Sequence, residues 1–438
     1  VNAAPGFRMH LAPSEGIGRN VAEPVVDMLF PAGSKGRIPI VAVTGTNGKT
    51  TTTRLNAHIA KTMGYKVGFT TSDGIYIQNR MMEKGDCTGP VSAKFVLMDP
   101  TIDYAVLECA RGGLLKAGLA FDKCDISIVT NVTADHIGLK DIDSVEEMAK
   151  VKSVVPETTR KEGYAILNAD DDLVFDMRKN LECNLVLFSM DENNPRIKAH
   201  CERGGVAAVL EDGWVSIIKG TWKIRVEKVV NIPLTLGGKA AFMIQNILPC
   251  VAAAFVQNFK IEDLKLALNT FIPSPTMTPG RMNVFKFKHF EMLVDFAHNP
   301  DGFQAISNYL AKVEMHPKVG VIAAAGDRRD EDIRELGRIA GRTFDEIIIR
   351  QDKNLRGRTD EEIMNLLKEG IFEINPNMPV ICINPEADSI KYCIENAKKG
   401  SHITVCSDVI AEALDLIMQY KEKDDQFEFH KEEIPNMH

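Results

Sequence analysis

The run Thr44-Gly45-Thr46-Asn47-Gly48-Lys49-Thr50 follows the apolar stretch IPIVAV and opens the segment KTTTTRLNAHIAKTMG. A glycine-bearing turn between a buried strand and a helix lets backbone N–H groups approach a polyphosphate at the positive end of the helix. In a loop of that kind Thr46, Asn47 and Gly48 cradle phosphates, Lys49 reaches the β and γ phosphates, and Thr50 offers its hydroxyl to magnesium. The usual pattern has an earlier glycine where this sequence has Val43; here that glycine is Gly45, so the loop is shortened. The competing reading is a tight turn carrying a surface lysine.

Other candidates sit where strands end. Glu108 ends the buried strand read in DYAVLEC and is followed by CARGG, which puts its carboxylate at the sheet edge where α/β proteins bind ligands. Beside a magnesium nucleotide such an oxygen suits a hard cation. Asn131 and His136 lie in TNVTADHIG, another strand-end loop, and Lys152 lies on the short helix EEMAKVKSVV. Taken singly, a strand-end acid is as readily salt-bridged, a histidine structural and a helix lysine solvated. Farther along, Arg281 in PGR and Asp295, His298 and Asn299 in VDFAHNPDG suit nucleotide or substrate contact across a cleft. GDRRDEDIRELG and DKNLRGR, with Asp352, Arg356 and the nearby Asp360, are charged loops on that same edge, which solvated loops also are.

These residues need a scaffold, and the chain of 438 residues is too long for one ordinary core. Hydrophobic residues at 45% and charged residues at 26% exclude a disordered or disulfide-scaffold chain. A formal charge of -8 gives no global attraction to nucleic acid or to an anionic membrane, which leaves small molecules as the natural partners. No apolar run is long enough to span a bilayer, and the first thirty residues lack a signal-peptide pattern, so a soluble, cytoplasmic protein is expected. The nine cysteines form no CxxC pair, which points to reduced thiols rather than bridges or a zinc site. The chain opens with Val1 in text that reads as the middle of something longer, so a fragment or processed chain is expected.

The segment to about Gly36 lacks periodicity and reads as a linker. Strand, loop and helix then follow from Arg37, with buried-strand text at 103 to 109, 124 to 131, 163 to 168 and 184 to 189. GGVAAVLEDGWVSIIKG reads as an antiparallel hairpin turning at Asp212 and Gly213, and a helix from Lys239 to Asn258 as one bent or interrupted by Pro249. PSPTMTPGR, 273 to 281, is the hinge. After it strands and helices alternate regularly, as a parallel sheet wrapped by helices requires. The fold class is therefore α/β, with residues 37–273 a P-loop central domain on a mainly parallel sheet and 274–424 a C-terminal Rossmann-like α/β domain. Residues 425–438 read as a frayed charged tail.

Together TGTNGKTTT, the strand-end glutamate, the DH loop, PGRMNV and VDFAHNPDG occur in the order found in the Mur ligase family of ATP-dependent amide ligases, which this chain resembles to about residue 420. GDRRDEDIRELG and the LRGR loop make it most similar to the arginine-adding, cyanophycin-making branch rather than the peptidoglycan or folate branches. Residues 1–36 resemble a remnant of the ATP-grasp domain that precedes the ligase part in that branch, with Asn2 matching a magnesium ligand of its final strand.

The resemblance implies ATP and Mg2+ as cofactors, and an acyl phosphate opened by an amine. It implies Lys49, Glu108, His136 and Lys152 as catalytic residues and Thr50, Glu108 and His136 as metal ligands. Lys152 would be carbamylated, with Lys150 as the next choice. Asn246, Arg281 and Asp295 would meet the nucleotide; Met243 replaces a second asparagine expected on the Asn246 helix. His298, Asp352, Arg356 and Asp360 are the candidates for substrate. The implied partners are a cyanophycin chain, L-arginine and the missing ATP-grasp region, with oligomeric state left open. The alternatives are a ligase of the same mechanism with a peptidoglycan or folate acceptor, and a degenerate nucleotide-binding scaffold.

Overall fold

Residues 6–33, 36–135, 142–351, 355 and 357–432 are described by the computed structural model, the last stretch with side chains to residue 426. The chain divides into units of residues 1–39 and 40–438. The first contains helices Arg8–Leu11 and Ala22–Leu29 and, among its described residues, no strand. The ATP-grasp strand expected around Asn2 thus falls partly outside the described residues, and the regular structure found in the rest of residues 1–36 is helical.

In the second unit the described strands form a sheet of eleven and a sheet of six. Seven strands of the larger sheet run parallel. In spatial order they are Val206–Glu211, Asn184–Ser189, Thr159–Asn168, Cys124–Val129, Ile40–Thr44, Tyr104–Glu108 and Val67–Thr71. Strand Ile40–Thr44 is buried at every position, as a strand covered on both faces must be, which is why IPIVAV reads as unbroken apolar text. The hairpin expected at Asp212 and Gly213 forms, and strand Trp222–Lys228 pairs beyond it.

At the opposite edge an antiparallel meander, Val67–Thr71 to Gly74–Ile77 to Arg80–Lys84, was not legible in the sequence. Its last strand is fully exposed, so no alternation marks it. Helix Ala241–Val256 packs on the parallel strands and runs on through Pro249. Ile247, Leu248, Cys250 and Val251 around that proline are all fully buried, and their packing outweighs the one lost helical hydrogen bond.

The smaller sheet orders as Asn283–Lys286, Glu291–Asp295, His402–Cys406, Lys318–Ile322, Glu346–Ile349 and Val380–Cys382, all parallel except the first. The architecture is α/β, a large mostly parallel sheet followed by a smaller mixed one. The last helix, Ile410–Glu432, continues into the tail expected to fray. No described helix is long and apolar enough to cross a membrane.

Candidate active site

The position of strand Ile40–Thr44 decides where the site forms. It lies between Tyr104–Glu108 and Cys124–Val129, all parallel, so the loops starting at Gly45, Cys109 and Thr130 leave the same sheet edge side by side. Open α/β sheets bind ligands in such crevices.

The shortened loop is stapled to its neighbour. The Thr46 N–H donates to the Asn131 carbonyl at 2.9 Å, the Asn47 N–H to Asn131 Oδ1 at 2.8 Å, and the Thr130 hydroxyl to the Asn47 carbonyl at 2.7 Å. Gly45 has φ 145°, and a Cβ there would stand 1.9 Å from Thr130 Oγ1. Gly48 has φ 87°, and a Cβ there would stand 2.1 Å from Asn246 Oδ1. Both positions therefore demand glycine for conformation and for space. The second also explains how Asn246, far along the chain, comes to rest against the loop.

From Gly48 the helix Lys49–Thr62 begins. Lys49 Nζ donates to the Thr46 carbonyl at 2.8 Å, and Thr50 Oγ1 donates to Glu108 Oε2 at 3.0 Å. Burial pushes the Lys49 ammonium below its ordinary pKa, with Glu108 opposing. Burial pushes the Glu108 carboxyl up, with Lys49 and Arg281 opposing. Each charge is thus disfavoured by desolvation, and a polyphosphate near Lys49 and a dication near Glu108 would favour both. Thr50 Oγ1, Glu108 Oε2 and Ser72 Oγ, which lies 3.1 Å from Thr50 Oγ1, form an all-oxygen donor set of the kind a hard divalent cation takes. His136 lies outside the described residues.

Lys152 is buried, and its Nζ donates to the Gly45 carbonyl at 2.8 Å, whereas Lys150 is exposed. Burial first, and the Lys49 charge second, hold the Lys152 ammonium well below its ordinary pKa.

The smaller sheet supplies the opposite wall. Asp295 ends Glu291–Asp295, is buried, and accepts from the Met282 N–H at 2.9 Å; burial raises its pKa against the pull of Arg281. Arg281 stacks over Phe296 at 4.6 Å and reaches Ser72 Oγ at 3.4 Å. His298 Nδ1 lies 3.0 Å from the Phe296 carbonyl. Asn299 caps helix Pro300–Leu310 through the Gly302 N–H and exchanges amide hydrogen bonds with Asn47 at 3.1 and 3.4 Å. Between the walls lies a cleft of about 840 Å³, lined among others by Thr46 to Thr50, Glu108, Asn131, Asn246, Arg281, Asp295 and His298.

Asp360 opens helix Asp360–Ile374 and is not among the residues lining this cleft; Asp352 and Arg356 lie outside the described residues. Met243, by contrast, is buried and lines the cleft, with its sulfur 3.8 Å from Asn246 Nδ2. Residues missed from the sequence include Ser72, Asp86, Thr88, Asp170, Asp171 and Asp408, all on the cleft wall, and Arg328 of the charged loop GDRRDEDIRELG lines it with them. Ser72 sits in the unread meander. Asp408 could have been found as a polar residue after a strand of the second sheet, the signal that picked out Asp295.

The profile of the Mur ligase middle domain matches residues 43–254, and that of the Mur ligase, glutamate ligase domain matches residues 280–409. Cyanophycin synthetase of Geminocystis herdmanii (strain PCC 6308) is 50% identical over 420 residues, covering 96% of this chain and 48% of that protein. The chain thus spans about half the length of the curated relatives it matches at this level. The structure of E. coli FolC in complex with ADP superposes with a TM-score of 0.66 at 17% identity, covering 89% of this chain and 91% of that one. A bifunctional folylpolyglutamate synthase/dihydrofolate synthase with Mn, AMPPNP and L-glutamate bound gives 0.63 at 17% identity, covering 88% and 90%. These two likenesses establish the fold. With both domain profiles matched in order across the two sheets, the chain belongs to the Mur ligase family of ATP-dependent carbon–nitrogen ligases.

Proposed function

We propose that this chain joins L-arginine through an isopeptide bond to the β-carboxylate of an aspartate on a cyanophycin chain, with ATP converted to ADP and phosphate. The observation that carries the reading is the meeting of Lys49, Thr50 and Glu108 with Arg281 and Asp295 around one cleft, in a chain half identical to a cyanophycin synthetase.

A carboxylate acylates poorly. In the proposed reaction its oxygen attacks the γ phosphorus, the bond to the β-phosphate oxygen breaks, and ADP leaves. The neutral α-amine of arginine then attacks the acyl carbon, the acyl carbon–oxygen bond breaks, phosphate leaves, and the nitrogen gives up a proton. Phosphoryl transfer needs chiefly positioning and charge neutralisation. The N–H groups at the start of helix Lys49–Thr62 and the Lys49 ammonium hold the phosphates, Arg281 approaches from the facing wall, and Asp295 meets the ribose. Thr50 and Glu108 would hold a Mg2+ ion, with His136 and a carbamate on Lys152 for a second; magnesium supplies neutralisation of the phosphate charge. A buried amine of low basicity has the free lone pair that carbamylation by carbon dioxide requires. Asp352 and Asp360 remain the proposed contacts for the guanidinium of incoming arginine, because a planar five-donor fork pairs best with carboxylates.

The test is to incubate the purified chain with ATP, arginine, aspartate and a β-aspartyl-arginyl primer ending in free aspartate, then weigh the product. One arginine added per primer, with one ADP formed, is expected. ADP formation only with a peptidoglycan or folate acceptor would overturn the substrate assignment, and growth by aspartate would reveal a second ligation site.

A further inference from the structure

A buried cation outside the residues assigned above joins the cleft to the hinge. Arg54 lies on helix Lys49–Thr62 with its side chain 5% exposed. Its guanidinium pairs with Asp73, donates to Tyr76 Oη at 2.8 Å and to the Met277 carbonyl at 3.3 Å, and lies over the Tyr76 ring at 4.6 Å. Tyr76 Oη donates in turn to Asp73 Oδ2 at 2.5 Å; burial raises its pKa to about 12, which keeps that proton in place. Burying an ion pair contributes little net stability compared with apolar side chains of the same volume, so its use lies in the geometry it fixes.

That geometry has two ends. Asp73 and Ser72 form the two-residue turn between strands Val67–Thr71 and Gly74–Ile77, whose closing pair is Thr71 and Gly74. In so short a turn neither residue moves without the other. Asp73 faces Arg54. Ser72 faces the cleft, where its N–H donates to Glu108 Oε2 at 3.3 Å and its hydroxyl meets Thr50 and Arg281. The hinge is therefore tied to this turn twice, at Met277 through Arg54 and at Arg281 through Ser72.

We propose that Arg54 is a positioning residue that clamps the hinge at Met277 onto the Ser72–Asp73 turn and so sets Arg281 against the phosphate site when the two walls are closed. This rests on the cleft being the ATP site, as proposed above.

The test uses the full chain with Arg54→Lys, which keeps the charge but loses the planar fork whose two ends reach Met277 and the Asp73–Tyr76 pair, and with Asp73→Asn, which breaks the clamp from the other side. Hydrogen exchange of the Met277 and Thr278 amides should rise at least about tenfold in both variants, as expected when a local opening becomes easier. Turnover should fall about thirtyfold or more while the Michaelis constant for ATP changes less than about threefold. Combined with Arg281→Ala, Arg54→Lys should add almost nothing to the loss, because the two act in series. Wild-type exchange rates in both variants, or losses that simply add, would overturn the clamp. If one variant fails to fold, the other is read alone. Exchange is measured without turnover, so absence of ADP formation by the wild-type chain would sink the proposed reaction and leave the clamp to be judged on exchange.

Discussion

Asp135 of the larger-sheet domain and Arg328 of the smaller-sheet domain meet at 2.9 Å, with side chains 7% and 5% exposed. Asp135 Oδ2 also accepts from Asn299 Nδ2 at 3.1 Å. Removing one member of a buried pair typically costs about 3–5 kcal/mol when the other charge stays buried. Here that penalty can be escaped by opening the cleft. Arg328→Ala is therefore expected to keep the secondary structure by circular dichroism but to show a larger radius of gyration in X-ray scattering and turnover lower by about tenfold or more. An unchanged scattering profile with full turnover would show that the pair does not hold the walls together.

Lys49→Ala is expected to reduce ATP turnover by about a thousandfold or more, because it removes a charge that neutralises the transferred phosphate in a desolvated site. Among the described residues its ammonium hydrogen-bonds the Thr46 carbonyl alone, and its burial lowers its basicity, so its removal should leave the melting temperature unchanged or slightly raised. Retained turnover would remove the loop from the reaction.

Lys152 and Lys150 separate cleanly. Lys152→Ala should abolish turnover and Lys150→Ala should leave it within about twofold, since an exposed helix lysine contributes little. Labelling the wild-type chain with carbon dioxide, trapping the adduct and locating it by mass spectrometry should place it on Lys152. The reverse pattern would mean that the modified lysine lies about half a turn earlier on the helix.

A pH dependence arises from His402 in strand His402–Cys406, where burial, and secondarily Lys318, lower its pKa from 6.5 to about 4. The unfolded chain binds this proton before the folded one does, so the contribution is present above about pH 6.5 and is lost as pH falls towards 4. At 1.36 kcal/mol per pH unit the loss approaches roughly 3 kcal/mol. Urea melts of the wild type and of His402→Gln at pH 7.5 and 5 should show the wild type losing more stability over that interval. Parallel losses would mean that another group carries the acid sensitivity.

Much of the active cleft was legible because phosphate binding uses consecutive residues. Gly45 to Thr50 carry their chemistry in backbone N–H groups and in a strand-to-helix change of pattern, both local properties of the chain. The buried parallel strands were legible for a similar reason, since burial on both faces leaves unbroken apolar text such as IPIVAV. Tertiary structure alone decided how the walls meet. Arg54 and Met277 are 223 positions apart, and Asn299 and Asp135 are 164 apart. Each of these contacts is made by a single side chain whose neighbours in sequence carry no period. Ser72 and Asp73 could not be seen as a hub, because the meander that places them ends in an exposed strand without alternation. A motif records what one segment does with its own backbone, whereas a clamp between distant segments exists only once packing has brought them within hydrogen-bond reach.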